Sequence, residues 1–130
     1  MLRSFKYREY FKAAKFVWAA FVFIIHLVPV DRDEIQRFDF PYADKWIHGF
    51  LFFILAALAF LATSQRRSVF SAFAIVFVTC IAYGGSLEII QYTFTEERSG
   101  DILDWLADAT GTLAGLGVAK MIDDRITLRS

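Results

Sequence analysis

The stretch that decides the fold is DKWIHGFLFFILAALAFLAT, residues 44–63. It opens with three polar side chains, Asp44, Lys45 and His48, and then runs from Gly49 to Ala62 without a charge. A helix rises 1.5 Å per residue, so about 20 such residues cross a hydrocarbon core of roughly 30 Å. Three further apolar stretches lie around it, and together they predict spans near residues 13–30, 46–63, 69–87 and 102–122. The expected fold class is therefore an all-α integral membrane protein, a four-transmembrane-helix bundle forming one domain over residues 1–130. Hydrophobic residues make up 57% of the chain, with fifteen Phe and three Trp, and this argues against a small soluble helical bundle.

Net charge is zero, but the basic residues are unevenly placed. Arg3, Lys6, Arg8, Lys12 and Lys15 precede the first span, Arg66 and Arg67 separate the second from the third, and Lys120, Arg125 and Arg129 follow the core of the fourth. These ten of the fourteen share one side of a four-span layout, so the positive-inside rule predicts both termini to be cytoplasmic. Eleven of the fourteen acidic residues then fall in or near the two external loops. The segment Leu2–Phe11 mixes cations with aromatics, as either an amphipathic piece on an anionic inner leaflet or a plain basic flank does. No cleavage-site pattern follows the first span, so it is not expected to be a signal peptide. Cys80 is the one cysteine and is expected to pack as a small apolar side chain. The basic residues sit at span flanks in no continuous patch, which excludes nucleic acid as a partner.

The polar interruptions gather at one end of each span. Lys45 and His48 are three apart and Asp44 and His48 four apart, so they share a helix face. In the third stretch Gly84, Glu88 and Gln91 share a face, and Gly84 and Gly85 allow close approach from a neighbour. Asp101, Asp104, Asp108, Gly111 and Gly115 follow spacings of three and four along one stripe of the fourth, just after Arg98. Ionisable groups at membrane depth are costly unless they pair or meet water. Lys45, His48, Glu88, Gln91, Arg98, Asp101, Asp104 and Asp108 are accordingly the candidate binding residues, and Lys45, His48, Glu88, Arg98, Asp101 and Asp104 are expected to converge in one outward-facing cavity.

The order Asp44-Lys45-x-x-His48, Glu88-x-x-Gln91, Arg98-x-x-Asp101-x-x-Asp104-x-x-x-Asp108-x-x-Gly111-x-x-x-Gly115 resembles the VanZ-like membrane proteins. The resemblance covers residues 44–115 and the four-span layout, although the family pattern usually carries Asn at the position of Asp108. It implies a multi-pass protein of the cell inner membrane, linked to the cell envelope and to resistance against the glycopeptide antibiotic teicoplanin. One functional reading is a site for membrane lipids, specifically an anionic lipid, a polyprenyl phosphate or a peptidoglycan precursor, in which Lys45, Arg98 and His48 contact phosphate and Glu88, Asp101 and Asp104 orient them. A second is an enzyme in which His48, Glu88, Asp101, Asp104 and Asp108 hold a metal or act as acid and base on a lipid-linked substrate. No His-Glu-x-x-His pattern is present, Ser86 and Ser99 have no distinguishing spacing, and the residues assign neither a metal nor a cofactor. A third reading is a structural or transport bundle held by an ion-pair network, which oligomerisation would enlarge.

Overall fold

The computed structural model describes residues 2–28, 41–64, 67–94 and 101–128, with side chains from Tyr7 onward. Four helices account for nearly all of them: α1 Leu2–Leu27, α2 Ala43–Thr63, α3 Val69–Phe94 and α4 Ile102–Thr127. Each grows from one of the expected apolar stretches, with shifted ends. Leu2–Phe11 forms the opening turns of α1 rather than a separate surface piece, and α1 stops at Leu27, short of the expected 30. The third helix continues past Leu87 to Phe94, so Glu88 and Gln91 stand inside it instead of closing it.

Tyr7–Leu27, Ala43–Thr63 and Val69–Phe94 are long and apolar enough to cross a membrane. The fourth helix is less apolar because Asp104, Asp108, Lys120, Asp123, Asp124 and Arg125 interrupt it, and the face it buries against its neighbours includes Asp108, Gly111, Thr112 and Gly115. A helix hidden behind others need not match the polarity of lipid along that face. Large apolar side chains lie exposed around the bundle, including Phe16, Val17, Ile24, Phe50, Phe70, Val78 and Ile89. In water such a surface would drive association; facing lipid it carries no penalty.

Lipid tails are as apolar as leucine, so close packing and interhelical hydrogen bonds must hold the helices together. The most extensive contact joins α2 and α4. There Gly111 lies against the Gly49 carbonyl and Gly115 against the Phe53 carbonyl, so tightly that a Cβ on either glycine would overlap α2 backbone. Phe52, Leu55, Phe60, Leu87, Val22 and Leu116 fill the core between the helices. Aromatic donors add tethers to helix carbonyls: Trp18 Nε1 to Leu51 at 2.9 Å, Tyr83 Oη to Ala19 at 2.7 Å and Trp105 Nε1 to Ile81 at 3.0 Å. Each joins two helices at a cost-free acceptor, since a helix carbonyl can take a second donor.

Candidate functional site

One end of the bundle gathers the C-terminal turns of α1 and α3 with the N-terminal turns of α2 and α4. Pro41 and Tyr42 set the start of α2, Tyr42 in the left-handed region at φ 60° with its carbonyl accepting the amides of Lys45 and Trp46. Asp101 caps α4: its Oδ1 accepts the Leu103 amide at 2.9 Å. The two helix starts thereby place Lys45 and His48 beside Asp101, Asp104 and Asp108.

The Lys45 ammonium donates to Asp44 Oδ2 at 3.0 Å, Asp101 Oδ2 at 2.9 Å and Asp104 Oδ1 at 2.7 Å. An ammonium has three N–H groups, and three carboxylates take them. Two of these carboxylates belong to α4, so the lysine ties α2 to α4 at the polar end as the glycines do at depth. Glu88 joins the same group from α3, its Oε2 accepting the Asp101 backbone amide at 3.0 Å.

A second group lies deeper. His48 Nδ1 is 3.0 Å from Asp108 Oδ1, and the Asp108 side chain is fully buried. A carboxylate only accepts, so the imidazole Nδ1–H donates to it. Nε2 lies 3.9 Å from Asp104 Oδ2, an ion pair only when the imidazole is protonated. Gly84 makes room for the Asp108 carboxylate: a Cβ there would stand 2.8 Å from Oδ2. Glu88, half-buried, reaches this group as well, and one donor atom each from His48, Glu88 and Asp108 lies within 4.8 Å of the other two.

Of the eight residues singled out from the sequence, Lys45, His48, Glu88, Asp101, Asp104 and Asp108 come together here, while Arg98 lies outside the described residues. Gln91 is buried and donates through Nε2 to the His26 carbonyl at 2.9 Å, tethering α3 to α1. Sequence reasoning missed His26. Its Nδ1–H donates to the Val22 carbonyl at 2.7 Å, and its ring meets that of His48 edge-on with centroids 4.7 Å apart. A lone histidine near the end of a span gives little sign of inward orientation. Its placement at the same end of the layout as His48 was the available signal. Ser86 back-bonds to the Ala82 carbonyl at 2.7 Å on an exposed face, so it is not aimed at the group as a nucleophile would be.

The chain matches the VanZ/LLP1 family over residues 3–123. It belongs to that family. No curated protein and no solved structure matches it. In this VanZ/LLP1 protein the polar end opens sideways between α3 and α4 through a groove of about 300 Å³. Glu88 and Asp101 supply its polar lining, and Ile89, Tyr92, Ile102 and Trp105 its apolar walls. The site as a whole holds five carboxylates about one lysine and two imidazoles. Its chemistry is to attract cations and hydrogen-bond donors.

Proposed function

We propose that this VanZ/LLP1 protein binds the headgroup of an anionic lipid or lipid-linked cell-envelope precursor at the outward end of a four-span bundle, and that this binding influences teicoplanin susceptibility. In this reading α4 is the fourth span and the protein resides in the inner membrane, with both termini cytoplasmic and the polar end facing out, an orientation that the ten-to-four division of basic residues supports. The observation that carries it is the groove between α3 and α4, where Glu88 and Asp101 stand beside the apolar walls of Ile89, Tyr92, Ile102 and Trp105. A lipid-linked sugar or peptide has hydroxyl and amide donors for Glu88 and Asp101, and an acyl or polyprenyl chain for Ile89, Tyr92 and Ile102. Its phosphate falls to Arg98, which lies between α3 and α4 in the sequence, because the Lys45 ammonium is already enclosed by three carboxylates.

Expression in a teicoplanin-susceptible host tests the reading. Wild-type protein should shift the inhibitory concentration, and Glu88→Gln should return it to the level of the empty vector with equal protein in the membrane. An unchanged shift with Glu88→Gln would reject the site. A specific observation favours a scaffold role for one part of the cluster: all three Lys45 donors are satisfied by carboxylates, two of them on α4. Lys45 is therefore assigned to fastening, and the ligand-facing role falls on Glu88 and its neighbours.

A further inference from the structure

Two carboxylate oxygens at the polar end have no hydrogen-bond donor among the described residues, Oε1 of Glu88 and Oδ2 of Asp108. Both atoms are closed off from solvent, and the whole Asp108 side chain is 0% exposed. A buried carboxylate with an idle oxygen is costly, because water that would have solvated it is gone. Both residues belong to one group with His48. Asp108 Oδ1 lies 3.0 Å from His48 Nδ1, so the imidazole and the buried carboxylate already face one another. The donor atoms of His48, Glu88 and Asp108 all lie within 4.8 Å of one another, each on a different helix.

The geometry points to a divalent-cation site formed by His48, Glu88 and Asp108 at the junction of α2, α3 and α4. One imidazole and two carboxylates suit Mn²⁺ or Zn²⁺ better than Ca²⁺, which takes six or more oxygens. Binding would draw the three donors inward to bonds of about 2.0–2.2 Å. The idle oxygens would become ligands, and the charge on the buried Asp108 and the half-buried Glu88 would be offset. Three protein ligands leave coordination positions open for water or for an oxygen of a molecule in the adjacent groove, where Glu88 is part of the lining. This site does not depend on the headgroup reading, because the ion alone is the probe.

The test uses the full chain in detergent, stripped with a chelator and titrated with Mn²⁺ or Zn²⁺ without added lipid. Bound Mn²⁺ should reach one per chain, show nitrogen modulation from an imidazole in pulsed EPR, and be displaced by Zn²⁺. Glu88→Gln and Asp108→Asn should each weaken binding at least tenfold, whereas Asp124→Asn, exposed near the end of α4, should leave it unchanged. The nitrogen signal is read on the wild type, so the proposal stays open to refutation even where a variant fails to fold. Absence of stoichiometric Mn²⁺ and Zn²⁺, bound Mn²⁺ without nitrogen coupling, or binding untouched in both carboxylate variants would overturn it. Carboxylates that share a proton would give the first of these results.

Discussion

His48 on α2 and Asp108 on α4 are joined through Nδ1 and Oδ1 at 3.0 Å, beside the contact of Gly111 with Gly49 that brings the two helices together. The close approach of backbone and the polar link depend on each other. Glycine contact brings the helices near enough for a short aspartate to reach an imidazole, and the link fixes which face of α4 turns inward.

Asp108→Asn keeps an acceptor oxygen for the His48 Nδ1–H, so the variant should fold with a thermal midpoint within a few degrees of wild type. Asp108→Leu removes the acceptor and should cost about 1–3 kcal/mol for the buried N–H left without a partner. Thermal unfolding of the two variants in the same detergent distinguishes them. Equal midpoints would mean that the link contributes nothing to the fold.

Lys45→Met should be more damaging than an exposed charge deletion. It leaves Asp44, Asp101 and Asp104 facing one another with their shared cation removed, and the loss should reach about 2–3 kcal/mol, between the values for exposed and fully buried pairs. Lys120→Met, which breaks an exposed pair with Asp124, should cost at most about 1 kcal/mol. Comparing the two midpoints measures how far the polar end acts as a fastener.

The glycines of α4 offer a graded series. Gly111→Leu and Gly115→Leu must push α2 backbone aside and should lower the yield of folded protein sharply. Gly117 has open space around its Cβ position, so Gly117→Ala should be neutral or mildly stabilising through helix propensity. Size-exclusion profiles after expression at matched levels are sufficient to rank them.

Much of this arrangement was legible in the sequence because lipid imposes simple rules. Span-length apolar runs placed the four helices, and the three-and-four spacing from Asp101 to Gly115 identified the face of α4 that packs inward. What could not be read were relations set by contact between helices. Spacing placed Asp101 on a stripe, but its role as the cap of α4, bound at once by Lys45 and Glu88, depends on where α2 and α3 end up. His26 escaped notice because one histidine in an apolar run has no periodic partner. Spacing also gave no means of telling that Lys45 would have all three donors occupied while Glu88 and Asp108 would each keep an oxygen without a donor among the described residues.

Topology follows from charge placement and can be checked independently of ligand. In a Cys80→Ala background, a cysteine at Asp39 should react in intact cells with an impermeant thiol reagent, and a cysteine at Arg67 should react only after permeabilisation. The reverse pattern would place the polar end in the cytoplasm and remove the route to envelope precursors.

The central claim is that the polar end is a ligand site and not only a clamp between helices, and native mass spectrometry of protein extracted gently from the membrane tests it most directly. The account predicts that the wild type retains a polyprenyl-linked or anionic phospholipid species, and that Glu88→Gln, recovered in equal amount and with an unchanged thermal midpoint, retains at least tenfold less. A wild type that carries no such lipid, or His48→Ala, Glu88→Gln and Asp104→Asn variants that all disappear from the membrane together, would contradict it and leave the cluster as an ion-pair scaffold.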